Sequence, residues 1–143
     1  MLRLIYPFYR LWRKIWPNER IEILTPSGQR LKAEVLSGKL DRALGLSYRQ
    51  QLSSDAVLFN FPKPGHYFFH MRGMKFPIDM VFFDDSGKVA FIAYHQLPRS
   101  GRFPQSQVSA PVPVQYVLEM PSMSASNVGF VLGSQVQIGF LKH

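Results

Sequence analysis

Two hydrophobic patterns divide the chain. Over residues 1–17, Phe8, Leu11, Trp12, Ile15 and Trp16 recur at helical spacing, while Arg10, Arg13 and Lys14 fall on the other side. Pro7 fits the first turn of a helix, and Pro17 blocks its continuation. The pattern predicts a short amphipathic helix with a basic face.

From Glu19 onward the pattern alternates instead. Residues 20–25 and 29–36 read as a hairpin across Pro26-Ser27-Gly28, and residues 78–83 and 88–95 as another across Asp84-Asp85-Ser86-Gly87. Residues 40–48 suggest a short helix sharing a face of Leu40, Ala43 and Leu44. Residues 56–61 and 66–71 read as two strands, with Pro62-Lys63-Pro64-Gly65 between them as a turn that no strand crosses. Residues 114–120 and 135–141 add two more strands, and residues 122–127 a helical turn. About eight short strands with Gly/Pro turns point to a mainly β fold, a small β-barrel with one or two short helices plus the N-terminal amphipathic helix. The expected organisation is that helix over 1–17 and a single barrel domain over 18–143.

Composition changes this picture in one respect. The net charge of +8 invites nucleic acid as a partner, but residues 1–17 hold four of the 17 bases and none of the nine acids. Basic residues and two Trp on a short helix are the composition of segments that lie in a membrane interface. The docking residues are Phe8, Arg10, Leu11, Trp12, Arg13, Lys14, Ile15 and Trp16. Their counterpart is an anionic membrane surface, a protein partner, or the chain's own barrel. No run approaches the ~20 apolar residues of a membrane span, and the stretch between Arg3 and Arg10 is too short for a cleavable leader. The expected location is cytoplasmic, extending to peripheral attachment at the inner membrane. With no Cys, disulfides and thiol catalysis are excluded.

Several segments resemble a known family. They are Gly45-Leu46-Ser47-Tyr48-Arg49, Val57-Leu58-Phe59-Asn60-Phe61, the block from Phe69 to Asp84 that contains His70-Met71-Arg72-Gly73 and Pro77-Ile78-Asp79, and Val117-Leu118-Glu119-Met120-Pro121. In order and spacing they are similar to the bacterial and archaeal domain of unknown function family 192, over about residues 20–141. Departures from its pattern include His70 in place of a Trp and Ser47 in place of a Met. The resemblance implies a compact mainly β barrel and supplies no reaction.

The charged residues in these segments are the candidate site: Arg49, His70, Arg72, Asp79 and Glu119. Asp79 lies inside an apolar run, so it needs backbone N–H groups or an Arg, with Arg49 and Arg72 as candidates. Glu119 poses the same problem. Either these groups are internal ion pairs, or they line a pocket for a small polar or anionic ligand. Residues 96–113 read as one long loop whose Arg99 and Arg102 make it a candidate lid. His66 and His70, four apart in a strand, are separated by about 13 Å, too far for one metal ion. No metal, cofactor or nucleophile motif is assigned. The sequence favours a non-catalytic binding or assembly module attached through residues 1–17. The alternatives are an enzyme with an Arg49/Arg72/Asp79/Glu119 pocket, and a nucleic-acid-binding barrel using bases such as Arg20, Arg30, Lys39 and Arg42.

Overall fold

The computed structural model describes residues 2–99 and 107–138. The elements run α1 (Leu2–Ile15), β1 (Arg20–Leu24), β2 (Arg30–Leu36), α2 (Lys39–Leu44), β3 (Ala56–Gly65), β4 (Ile78–Phe83), β5 (Val89–Gln96), β6 (Val114–Pro121) and α3 (Ser124–Asn127). The strands form one six-stranded sheet in the order β1-β2-β3-β6-β4-β5. Both expected hairpins are present as antiparallel pairs, β1 with β2 and β4 with β5. β2 and β3 are parallel, as the α2 crossover between them allows.

The fold is mainly β, but the sheet does not close into a barrel. The reason is visible in β4, whose six residues are all buried. A strand in a small barrel turns every second residue outward; here both sheet faces are covered. On one face Met80, Phe82, Val117 and Phe59 pack with Leu46, Phe69 and Met74. On the other, Val81, Phe83, Leu118 and Leu58 pack with Ala125, Val128, Phe130 and Ile138. Near-continuous apolar runs such as Ile78-Asp79-Met80-Val81-Phe82-Phe83 therefore mark central strands of a covered sheet.

Residues 135–141, expected to be a strand, supply single bridges instead. Gln135 meets Lys88 beside β5, and Ile138 meets Ile23 on β1, so this segment touches both edges of the sheet without a ladder. Its last residues, 139–141, lie outside the described residues.

β3 also departs from expectation, because it runs through Pro62 and Pro64. Its pairing with β2 ends at Phe59, and its pairing with β6 is interrupted between Asn60 and Gly65. Both prolines thus fall where no ladder needs their missing N–H. Residues 66–71 make no strand; Phe69 forms one bridge, to Val108.

α2 is shorter than expected and turned differently. Leu40 and Ala43 are on its outer side, while Asp41 and Leu44 are buried. Burial of Asp41 fixes the position of α1, as described next.

Candidate functional site

α1 is clamped to the domain by one carboxylate. Asp41 accepts hydrogen bonds from the Tyr9 hydroxyl at 2.8 Å, from Arg13 Nε at 3.0 Å, and from Arg13 Nη2 at 2.8 and 2.6 Å on its two oxygens. Forked Arg–carboxylate contacts of this kind hold orientation as well as charge. Burial, and then the bond to Asp41, raises the Tyr9 pKa. Tyr6 adds a ring contact to Tyr48. Arg13, grouped by spacing with the basic face, therefore points into the domain and also covers the Trp12 ring at 4.1 Å.

With Tyr9 and Arg13 facing inward, the opposite side of α1 faces away from the domain. Leu4, Phe8, Leu11 and Ile15 share one stripe at i, i+4, i+7 and i+11, and are 77%, 75%, 61% and 61% exposed. Trp12 and Trp16 border this stripe on one flank, both exposed. Arg3, Arg10 and Lys14 form the other flank, also exposed, and the helix holds no acid.

Beneath α1 lies a groove of about 430 Å³ lined by Tyr9, Lys14, Arg20, Glu34 and Arg49 among others. Glu34 is buried there and takes two bonds from Arg49, at 2.7 and 3.1 Å, with Asn18 at 2.9 Å and Ser53 at 2.9 Å completing its shell. Burial alone would raise its pKa, but the Arg49 bonds and charge outweigh that and hold it at about 2. A carboxylate depressed in the folded state stabilises the protein above its unfolded pKa. This contribution is thus present above about pH 4.5 and is lost as pH falls toward 2. Lys at position 49 cannot supply the two-nitrogen fork. Arg49→Lys should therefore cost about 1–2 kcal/mol, read as a lower urea midpoint at pH 7 with an unchanged slope.

The five candidate residues do not meet at one point. Asp79 is fully buried on the opposite sheet face from Arg49, and accepts two backbone N–H bonds, from His95 at 2.8 Å and Ala125 at 3.1 Å. Of the two solutions open to it in sequence, the backbone one is realised. Arg72 is exposed and bridges to Arg99, whose N–H reaches the Met71 carbonyl at 3.3 Å. Arg102, the second basic residue of the candidate lid, lies outside the described residues.

His70 and Glu119 do share a cavity, of about 320 Å³, between α2 and the 66–74 segment. The Arg72 backbone N–H donates to His70 Nδ1 at 3.2 Å, and burial followed by the Arg72 charge lowers the His70 pKa. Glu119 is 4% exposed. Its register partners on β3 and β4 are Val57 and Met80, and Val57 in turn pairs with Glu34, so the two Glu share one row across the sheet. Arg49 lowers the Glu119 pKa slightly, but burial dominates and raises it to about 8. Among the described residues, no group of three or more His, Asp or Glu is placed to hold a metal ion.

Sequence reasoning missed Tyr9, Asp41 and Glu34. Glu34 occupies a polar position of an alternating strand, which reads as solvent-facing until α1 and residues 49–53 cover it. Asp41 carries no local signal.

This open, doubly covered sheet with its terminal helix defines a small mainly β domain, and family comparison places it. The DUF192 family model, described as Uncharacterized ACR, matches residues 22–138, and the chain belongs to this family. α1 lies outside the matched range. A crystal structure from Sinorhizobium meliloti 1021, provisionally described as a transcription regulator, is 28% identical over 84% of this chain and 92% of its own, with a TM-score of 0.72. A protein of unknown function from Novosphingobium aromaticivorans DSM 12444 is 25% identical over 82% of this chain and 83% of its own, with a TM-score of 0.69. No curated protein matches the chain. No helix among the described residues is long and apolar enough to cross a membrane.

Proposed function

We propose that the chain is a non-catalytic binding module whose α1 lies flat on an anionic membrane surface and carries the domain on its back. The observation that carries this reading is the division of α1 into three sectors. Tyr9 and Arg13 fasten one side to Asp41, Leu4, Phe8, Leu11 and Ile15 stand exposed on the opposite side, and Arg3, Arg10 and Lys14 line the flank. A helix lying in the interface needs an apolar stripe pointing down, bases at the headgroup level and a polar or protein-covered back. Each base near an anionic surface contributes about 1 kcal/mol, and Trp suits the headgroup boundary. A protein groove would satisfy the apolar stripe, but the flank of bases without an acid favours a negatively charged surface.

Binding to phosphatidylglycerol-containing vesicles should be saturable and weaken with salt. Phe8→Ser with Leu11→Ser should reduce it at least 10-fold, with the melting temperature close to wild type because both side chains are exposed. Equal sedimentation with neutral and anionic vesicles, or none with either, would remove this reading. A salt-sensitive DNA shift without vesicle binding would favour the nucleic-acid alternative instead.

A further inference from the structure

We propose that the cavity between α2 and residues 66–74 is a binding site for a small organic ammonium with an apolar or aromatic body, whose charged head meets the Glu119 carboxylate. The site is independent of α1 and its docking face.

Glu119 is the first reason. Its side chain lines the cavity and is almost wholly buried, yet among the described residues it has neither a hydrogen-bond partner nor a salt bridge. Every other buried acid here is satisfied: Asp79 by two backbone N–H groups, Asp41 by Tyr9 and Arg13, Glu34 by Arg49. Burying a carboxyl with no partner costs several kcal/mol, and an acid retained in a cavity wall at that cost suits a partner that arrives from outside.

The walls specify that partner. Phe59, Phe61, Tyr67 and Phe69 form a ring-on-ring cluster, with Phe59 and Phe69 edge to face at 5.1 Å and Phe61 stacked on Tyr67 at 3.6 Å. Aromatic faces attract cations and bury apolar bodies. A simple anion would oppose ionisation of Glu119, and a metal ion would find a single carboxylate and one imidazole. An ammonium carries three donors and a charge that can pair directly with Glu119, which Arg49, held by Glu34, reaches only at a distance. The volume of about 320 Å³ is at the small end of ligand pockets and fits a single-ring amine.

The lining also carries two cationic side chains. Lys39 and Arg42 line the cavity from α2, and Arg42 is held over the Phe61 ring at 5.3 Å with a bond to the Asn60 carbonyl at 3.2 Å. Arg49 is committed to Glu34. From the 66–74 segment come Tyr67 and His70, whose pKa is lowered by burial and then by the Arg72 charge. β3 and β4 present Val57 and Met80. Burial raises the Glu119 pKa to about 8, so this acid holds its proton at neutral pH. An ammonium that binds the ionised acid must displace its proton.

Phenethylamine is the probe, with 2-phenylethanol and 3-phenylpropionate as neutral and anionic controls, read by chemical-shift titration of the full chain. Phenethylamine should bind saturably and shift the amides around Glu119, tightening about 9-fold from pH 6 to 7 and about 5-fold from pH 7 to 8. Calorimetry in two buffers of different ionisation enthalpy should record release of close to one proton at pH 6.5. Glu119→Gln should weaken binding at least 10-fold. Saturation by the alcohol or the propionate equal to that by the amine would overturn the proposal. So would absence of saturable binding, or affinity independent of pH with no proton released. The proton count uses the unaltered protein and does not depend on how the variant folds.

Discussion

Asp79→Ala should lower the melting temperature by about 15 °C. Asp79 joins the backbone at His95 to the backbone at Ala125, beside a side-chain hydrogen bond between His95 Nδ1 and Ser122 Oγ at 2.5 Å. Its Oδ1 takes the His95 N–H, where the β4–β5 register shifts between Ile78 and Met80, and its Oδ2 takes the Ala125 N–H in the first turn of α3. Both attachment points sit beside non-glycine residues in the left-handed region, His95 at φ 47° and Met123 at φ 74°. Such conformations cost about 1 kcal/mol or more each and persist where the surroundings enforce them. Alanine would leave the buried Ala125 N–H and the part-buried His95 N–H without acceptors, at about 1–3 kcal/mol each. Together these give a loss of roughly 4 kcal/mol, and at about 4 °C per kcal/mol for a chain of this size the shift follows. Asp79→Asn should lose nearly as much, because one amide nitrogen would then face a backbone N–H. Thermal unfolding followed by circular dichroism measures this directly. A melting temperature within 3 °C of wild type for Asp79→Ala would contradict the structural role assigned to Asp79.

Glu119→Gln should have the opposite sign. The acid has a folded-state pKa raised to about 8 from an ordinary 4.5, so the folded state holds a proton that the unfolded state has released. Stability from this group is fully present below about pH 4.5 and is lost as pH rises through 8. Each pKa unit corresponds to 1.36 kcal/mol, so the loss across that window is roughly 3–5 kcal/mol. Gln has the same shape and no ionisation. At pH 5 the variant and the wild type should have similar stability, and at pH 8.5 the variant should be more stable by about 3 kcal/mol. Glu34 acts at the other end, where its depressed pKa removes stability as pH falls toward 2. Parallel stability–pH curves between pH 5 and 8.5 for wild type and Glu119→Gln would show that Glu119 is not the strained acid described. A variant that is more stable yet fails to bind phenethylamine would separate the two properties of this residue.

The fold was partly legible in the residues. Hairpin chemistry at Pro26-Ser27-Gly28 and at Asp84-Asp85-Ser86-Gly87 located two strand pairs correctly. The second turn is built by Asp84, which accepts N–H bonds from Ser86 at 2.9 Å and Lys88 at 3.0 Å. The closed barrel was misread because an apolar run says a strand is buried without saying what covers its second face. Pro62 and Pro64 misled for a similar reason. Proline forbids a ladder bond, and whether a ladder exists at a given position is a property of neighbours far away in sequence.

The charged residues divide along the same line. That Asp79 must be satisfied follows from its apolar run, and backbone N–H groups were one of the two solutions read for it. That Arg49 chooses Glu34 depends on which sheet face each residue occupies, a matter of register. The helical period of residues 1–17 was clear, but the side that meets the domain was not. Tyr9 and Arg13 lie opposite Phe8 and Leu11 in the helical projection, and only the buried Asp41 decides which of the two sides turns inward.

The two Trp of the chain, Trp12 and Trp16, both lie on or just past α1 and are 43% and 61% exposed, so tryptophan emission, excited selectively over tyrosine, reports on this helix alone. On titration with phosphatidylglycerol vesicles, the emission should move to shorter wavelength and be quenched by lipids brominated near the headgroup end of the acyl chain, with both effects reduced by Phe8→Ser/Leu11→Ser. Emission that stays at its aqueous wavelength and escapes the brominated lipids at low salt would contradict attachment through α1.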